Sequence, residues 1–118
     1  YCNGPMTSSK CGRDPNLVEV GWYCYNAKGR THPVAQKAPN AWGLYDMHGN
    51  VWEWCSDRYG AYPAETVRDP RGPELASYRV FRGGSFNSSA RSCRSANRYR
   101  LTPRYVYVGL GFRLVRER

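Results

Sequence analysis

NAWGLYDMHGNVWEWCSD, from Asn40 to Asp57, is the stretch of this 118-residue chain that decides the fold. It is dense in aromatic residues, and two glycines interrupt any helical period. Its last part, NVWEWC, alternates in the way that a half-buried β-strand does. Carboxylates stand on both sides of the second glycine, at Asp46 and Glu53, and calcium prefers such hard oxygen ligands. The segment therefore predicts a cation-binding turn that leads into a strand.

The rest of the chain is rich in turn residues. Residues 1–38 and the Pro/Gly/Tyr-rich segment 58–77 predict surface loops, and residues 85–108 show no clear period. Further strands are predicted at VEVGWYCY (18–25), YRVFRGG (78–84, ended by the glycine pair) and GLGFRLVRE (109–117). No segment predicts a confident helix. We expect one α+β domain over residues 1–118, loop-rich with little regular secondary structure and a small antiparallel sheet.

The charge is strongly positive. The formal net charge is +9, and Arg supplies 15 of the 18 basic residues, ten of them at or after Arg79. An anionic partner such as nucleic acid would explain this excess. The arginines are interleaved with Gly, Ser and aromatic residues and form no basic block, which favours guanidinium groups that tie loops together. Nucleic-acid binding is therefore disfavoured, and no apolar run is long enough to span a membrane.

The five cysteines are Cys2, Cys11, Cys24, Cys55 and Cys93. Because the number is odd, at least one is free or pairs outside the chain. Cys2 with Cys11 would close a short loop in an oxidising compartment, and Cys55 with Cys93 would form either a disulfide or two packed thiols. No CxxC occurs and only two histidines are present, so a structural zinc site is not expected.

Aromatic and arginine side chains next to glycine or polar residues predict the packing. The residues expected in the core are Trp42, Trp52, Trp54 and Phe86. Those expected as buried struts are Arg82, Arg94, Arg98 and Arg113. Gly83 and Gly84 predict a tight turn.

Four motifs stand in order with spacers of ordinary length: NAWGLYDMHGNVWEWCSD, RVFRGGSF, RSANRYR and GFRLV. Together they closely resemble the formylglycine-generating-enzyme, or sulfatase-modifying-factor, family, whose domain has a C-type-lectin-like fold. The resemblance runs from roughly Asn16 to Val115 and corresponds to the C-terminal half of a family domain. It implies a truncated domain that lacks its N-terminal half or uses a partner chain instead. It also implies a prokaryotic or phage source and is compatible with a secreted or surface-exposed protein, while the localisation itself stays open.

The resemblance implies two structural calcium sites. The first maps onto the side chains of Asp46 and Glu53 and the carbonyls of Gly49 and Val51. The second maps onto Asn16, the carbonyl of Leu17, Asn26 and the carbonyl of Lys28. The alternative for the first site is that Asp46 and Glu53 only accept hydrogen bonds from turn amides and a nearby Arg.

The resemblance also raises the question of catalysis. Formylglycine-generating enzymes are copper- and oxygen-dependent oxidases that convert a sulfatase cysteine to formylglycine, and they hold copper with two cysteines five residues apart. The second position falls on Cys93 and the first on Ser88. A hydroxyl is a poor ligand for copper(I), which prefers thiolates. Copper is therefore expected only under the oxidase alternative, with Cys93 and Ser88 as its catalytic residues.

Residues 82–115 also resemble the variable region of proteins diversified by retroelements, which use the same lectin-like fold. An ordinary surface loop without diversification is the equal alternative. Tyr offers stiff contact area and Ser and Asn offer adaptable hydrogen bonds, as in antibody paratopes. The preferred prediction is a non-catalytic module that binds a protein or glycan ligand on a calcium-stabilised scaffold. The residues expected to contact the ligand are Asn87, Ser88, Ser89, Ser92, Tyr99, Leu101, Tyr105 and Tyr107.

Overall fold

The computed structural model describes residues 1–116 and has little regular secondary structure. This confirms the loop-rich α+β fold class. The elements are helix α1 (Pro15–Val20), strands β1 (Gly21–Trp22), β2 (His48–Gly49), β3 (Trp52–Arg58) and β4 (Arg79–Arg82), a 3-10 turn (Ala90–Cys93), and strands β5 (Arg98–Leu101) and β6 (Leu110–Gly111). None of the helices within residues 1–116 has the length and apolar character needed to cross a lipid bilayer.

The main sheet has the strand order β5-β4-β3-β6. β3, β4 and β5 are antiparallel, with Trp54 opposite Phe81 and Phe81 opposite Tyr99. The short β6 runs parallel to β3, so the sheet is mixed and not purely antiparallel. β1 and β2 form a separate parallel pair. The strands predicted from NVWEWC and YRVFRGG are confirmed, and β4 ends at Gly83 and Gly84, whose φ angles are 93° and 78°.

The strand predicted over 18–25 is wrong for most of its length, because residues 18–20 belong to α1 and residues 23–25 lead into a turn. Asp14 caps this helix by accepting a hydrogen bond from the Leu17 amide at 3.1 Å, and Pro15 occupies the first turn. A cap followed by proline is a helix-start signal, and it outweighs the weak helix propensity of two valines. Only Gly21–Trp22 become a strand.

Two other boundaries differ from the sequence expectation. The final strand is limited to Leu110–Gly111, and residues 112–116 have no strand pairing among the described residues; Glu117 lies outside them. β5 lies in the segment that showed no clear period. Its alternation of Arg with Tyr or Leu is a strand pattern that the surrounding polar residues obscured.

The core is small, and its buried side chains are mainly aromatic and aliphatic. Trp52 and Phe86 are buried as predicted, and Trp54 is half-buried. The prediction for Trp42 is wrong, since this residue is 86% exposed. The Asn40 side chain accepts the amide hydrogen of Trp42, which holds the indole on a surface turn. The main buried cluster contains Leu17, Val20, Tyr23, Ala90 and Cys93.

Cys11 and Cys24 form the disulfide, which corrects the Cys2–Cys11 possibility. Cys2, Cys55 and Cys93 are free, so the last two are separate thiols. The two bonded cysteines lie on either side of α1, 13 residues apart in the chain, with their Cα atoms 5.5 Å apart. Connectivity of this kind cannot be read from sequence alone.

Candidate functional site

An open groove of about 300 Å³ lies on one side of the main sheet. β3, β4, β5 and β6 of the sheet contribute to its lining together with the segment 105–107. Its lining residues are Trp52, Phe81, Ser92, Tyr99, Leu101, Tyr105, Tyr107 and Leu110. The structure thus brings together five of the eight residues predicted to bind ligand, namely Ser92, Tyr99, Leu101, Tyr105 and Tyr107.

Strand periodicity places Tyr99 and Leu101 in this groove. Residues two apart on β5 share a face, so Arg98 and Arg100 project to the opposite side. The Tyr99 ring packs edge-on against Trp52 with centroids 5.3 Å apart, and it lies 5.9 Å from Phe81. Tyr99 nevertheless remains 49% exposed. The ring is therefore fixed by the core on one side and available to a ligand on the other.

The other three predicted ligand residues lie outside the groove lining. Asn87 is exposed and donates a 2.6 Å hydrogen bond to the Tyr107 hydroxyl, so it orients a lining residue. The Ser88 hydroxyl accepts from the Ser85 amide at 3.0 Å and therefore faces the turn. Ser89 contacts Ser92 through their hydroxyls at 3.4 Å. Direct ligand contact by these three residues stays a prediction.

Stacked tyrosines hold the long loop after β3 against the back of β5. The Arg98 guanidinium lies 3.8 Å from the centre of the Tyr62 ring and 4.7 Å from that of Tyr59, and it donates to the Gly60 carbonyl at 2.6 Å. Arg100 lies 4.8 Å from Tyr59. Cation–π contacts of this kind fix β5 from behind while its other face stays open.

None of the four predicted arginine struts is buried, although three act as struts. Arg82 donates to the Ser95 carbonyl, and Arg113 forms a bidentate pair with Glu53 at 2.5 and 2.6 Å. This pair raises the pKa of Arg113. A guanidinium that keeps one edge in water avoids most of the cost of desolvation, which explains the partial exposure.

A second cavity, of about 350 Å³, contains all four residues of the first predicted calcium site: Asp46, Gly49, Val51 and Glu53. Asp46 is buried, and its Oδ2 accepts from the Ala35 amide at 2.8 Å. Its Oδ1 is buried and has no hydrogen-bond partner. A buried carboxylate oxygen without a donor is costly, and a cation would satisfy it. The donor set therefore fits calcium at Asp46, while Glu53 already accepts from Arg113.

The second predicted calcium site receives less support. The Asn26 side chain accepts from the Tyr23 amide and donates to the Gly21 carbonyl. Asn16 donates to the Pro5 carbonyl, and Lys28 is exposed in a left-handed turn at φ 54°. Within residues 1–116 no group of three acidic, histidine or cysteine side chains is arranged to hold a metal. A site at Asn16, Leu17, Asn26 and Lys28 stays a prediction that would depend on amide and carbonyl oxygens.

The predicted copper pair does not fit copper(I). Cys93 is fully buried in the main core, and burial raises the pKa of its thiol to about 12. A thiol enclosed by the core is not open to a metal ion from solvent, and copper(I) selects soft thiolate ligands in preference to a hydroxyl. The Ser88 hydroxyl is engaged by Ser85. Cys93 instead packs below the glycine turn, where a Cβ added at Gly84 would lie 2.5 Å from its sulfur.

Sequence reasoning missed His48, which lies within the DMHGN segment. Its Nδ1 donates to the Cys93 carbonyl at 2.8 Å, and its Nε2 accepts from the Cys2 amide at 3.1 Å. Burial lowers the pKa of His48, which favours the neutral ring that these two bonds require. The imidazole is thus a structural link between three segments. A single histidine between Met47 and Gly49 offered no apolar period that would reveal this.

The small mixed sheet, the long irregular loops and the glycine-containing segment Asp46–Glu53 define a C-type-lectin-like scaffold. The sulfatase-modifying factor enzyme 1-like domain matches residues 11–118. The chain belongs to this family.

Curated relatives align with most of the chain but have much longer sequences. Formylglycine-generating enzyme from Thermomonospora curvata is 48% identical over 80 residues, which are 63% of this chain and 25% of that protein. Serine/threonine-protein kinase pkn1 from Chlamydia caviae is 42% identical over 107 residues, which are 87% of this chain and 17% of that protein. The chain therefore spans a quarter or less of the length of these two relatives.

Solved structures confirm the scaffold. Treponema denticola variable protein 1 superposes with a TM-score of 0.77 at 40% identity, over 81% of this chain and 35% of that one. PvdO from Pseudomonas aeruginosa superposes with a TM-score of 0.74 at 29% identity, over 93% of this chain and 42% of that one.

Proposed function

We propose that this domain is a non-catalytic binding module whose ligand, a protein or a glycan, occupies the groove beside β5. The observation that carries the proposal is the convergence of Ser92, Tyr99, Leu101, Tyr105 and Tyr107 on one open groove. Tyrosine provides stiff amphipathic contact area at low entropic cost. Loops and strand ends on a rigid scaffold are where binding residues concentrate. The likeness to a protein named a variable protein supports the same proposal.

Replacing Tyr99 with alanine should reduce ligand affinity by at least about tenfold, because a central, partly buried Tyr is a typical hot spot. Binders are first selected from a displayed random peptide library and a glycan array with the whole chain as bait. Their affinities for Tyr99→Ala and Tyr107→Ala are then measured by isothermal calorimetry. Circular dichroism verifies that each variant folds.

Tyr25→Ala is the matched control, since Tyr25 is 48% exposed and lies outside the groove lining. This control should bind like the wild type. If Tyr99→Ala and Tyr107→Ala both fold normally and still bind the selected ligands with unchanged affinity, the groove is not the binding site.

The second candidate function is a formylglycine-generating oxidase, favoured by the 48% identity to such an enzyme. We expect no copper-dependent turnover of a cysteine-containing sulfatase peptide, because Cys93 is buried and position 88 lacks a thiol. The assay follows aldehyde formation by mass spectrometry with added copper(I) and oxygen. Turnover that disappears in Cys93→Ala would establish the oxidase and end the binding-only proposal.

We also propose that calcium stabilises the domain by binding at the unpartnered carboxylate oxygen of Asp46, together with carbonyls of Gly49 and Val51. Millimolar calcium should raise the melting temperature by several degrees, since a ligand bound at about 100 times its Kd contributes about 2.7 kcal/mol. EGTA should reverse the shift. Differential scanning calorimetry provides the measurement.

Asp46→Ala should abolish this calcium-dependent shift. Asp69→Ala is the control, because the Asp69 carboxylate is 93% exposed. An equal calcium response in the wild type and Asp46→Ala would place the ion elsewhere.

A further inference from the structure

The last third of the chain carries positive charge with almost no counter-charge. Residues 75–116 contain nine arginines and no Asp, Glu or Lys. Among the described residues only Arg113 of these nine pairs with a carboxylate, that of Glu53. Because this segment supplies most of the groove, the ligand approaches through a positive field, and such fields favour anionic partners.

Most of these arginines make contacts within the domain, and most of those contacts do not neutralise the positive charge. Arg79, Arg82 and Arg98 donate to backbone carbonyls, which do not neutralise a guanidinium. Arg91, Arg104 and Arg116 are exposed, and none of the three donates a side-chain hydrogen bond to another residue within 1–116, unlike Arg79, Arg82, Arg98 and Arg113. They remain available to a partner.

Two of these arginines, Arg91 and Arg104, are the chain neighbours of residues that line the groove. Arg91 directly precedes Ser92, and Arg104 directly precedes Tyr105, and both following residues line the groove. The lining itself contains aromatic, aliphatic and hydroxyl side chains and no charged one. Val106, which is 92% exposed, lies between the lining residues Tyr105 and Tyr107 in the chain. The lining is thus uncharged, and the segments that supply it carry exposed arginines next to lining residues.

We propose that the natural ligand is an acidic protein segment that inserts one apolar or aromatic side chain into the groove and places carboxylates beside Arg91 and Arg104. This inference rests on the proposed binding function and names the chemistry of the partner. Arginine forms bidentate hydrogen bonds with carboxylates, and a buried apolar anchor with a charged rim is a common division of roles at interfaces.

The same observations disfavour a glycan and a nucleic acid. Amide and carboxylate side chains are suited to binding sugar hydroxyls, but the two amides that touch lining residues are already engaged: Asn87 donates to the Tyr107 hydroxyl and Asn97 to the Ser92 carbonyl. Nucleic-acid binding needs a track of several phosphate contacts. Arg98 and Arg100 are stacked on tyrosines behind β5 and do not extend such a track to the groove.

The test uses the whole chain to select from a displayed random peptide library. Selected sequences should contain Asp or Glu on either side of an aromatic or aliphatic residue. The best peptide is then synthesised with its carboxylates intact and with each replaced by an amide. The amide peptide should bind at least about tenfold more weakly, and raising the salt from about 50 to about 300 mM should weaken the acidic peptide several-fold.

Reversing the charge of Arg91 and Arg104 tests whether these two residues bind the carboxylates of the peptide. The double variant Arg91→Glu, Arg104→Glu should lower the affinity of the acidic peptide by at least about tenfold, mainly through slower association. The control is Arg68→Glu, Arg71→Glu, which changes the net charge equally at two exposed positions outside the groove. This control should retain most of the affinity.

The outcomes separate this inference from the proposed function. Some selected peptides could require Tyr99 but show no acidic bias, or could bind the Arg91→Glu, Arg104→Glu variant unchanged. Either result would overturn the inference of an acidic partner and would leave the groove as the binding site. A glycan or a short oligonucleotide that binds in a Tyr99-dependent way, with no peptide enriched, would do the same. If Tyr99→Ala leaves the affinity for every selected ligand unchanged, the groove is not the binding site and the proposed function itself is wrong.

Discussion

Gly49→Ala should destabilise the domain by more than about 4 kcal/mol, which places it among the most severe single substitutions. Gly49 has a φ angle of 77°, and its backbone runs against that of Trp22 in the β1–β2 pair. A Cβ at this position would overlap the Trp22 carbonyl. Because the obstacle is backbone, no side-chain rotation relieves the overlap, and the two strands must separate.

The consequences extend beyond the pair of strands. The Gly49 amide donates to the Gly83 carbonyl at 2.7 Å, and the next amide, that of Asn50, donates to the Trp22 carbonyl at 2.7 Å. The Asn50 side chain in turn bridges the amide and carbonyl of His32. Displacing Gly49 would break these links together, so loss of cooperative folding is expected.

Gly43→Ala is the matched control. Gly43 has nearly the same φ angle, 75°, but a Cβ there would meet nothing within 4 Å. Its cost should be only that of an L-residue in the left-handed region, about 1–2 kcal/mol. Urea unfolding followed by tryptophan fluorescence measures both. Similar losses for the two variants would show that backbone conformation, and not the contact with Trp22, dominates at Gly49.

The sequence predicted the parts of the fold that depend on local pattern. Alternation fixed β3, and the glycine pair marked the end of β4. The exposure of Trp42 was not predictable from composition, because whether an aromatic beside a glycine is buried depends on which segments cover it. The helix at Pro15–Val20 did have a local signal in Asp14 and Pro15, which the neighbouring β-branched residues masked.

The sequence predicted most of the residues of the candidate site, but it did not predict how they are arranged in space. Family resemblance pointed to alternating positions around β5 and 105–107, and strand periodicity explains why Tyr99 and Leu101 share a face. The inward orientation of Ser88 could not be foreseen, because it depends on a hydrogen bond to Ser85 within a tight turn. The burial of Cys93 agrees with the expectation of a packed thiol, and it results from packing with Leu17 and Val20 of α1 across a long sequence separation.

Asp14→Ala should cost about 3–5 kcal/mol, since it removes a helix cap and leaves buried amides without an acceptor. Asp14 is fully buried. Its carboxylate accepts from the amides of Thr7 and Ser8 at 2.7 and 3.0 Å and from that of Leu17 at 3.1 Å. One side chain thus joins the N-terminal loop to α1. Asp14→Asn keeps one acceptor oxygen and should recover part of the loss.

The contribution of Asp14 should also depend on pH. Burial by itself would raise the pKa of this carboxyl, but the three amide hydrogen bonds outweigh it, and the pKa lies below its ordinary value of 3.8. A carboxyl with a lowered pKa binds protons more readily in the unfolded chain, so its stabilisation is present above the ordinary pKa and is lost as the pH falls through the folded value. The free energies of unfolding of the wild type and Asp14→Asn should therefore converge between about pH 5 and about pH 2. Urea unfolding at several pH values tests this, and a gap between the two proteins that stays constant or widens on acidification would show that the carboxylate charge is not what holds the loop to the helix.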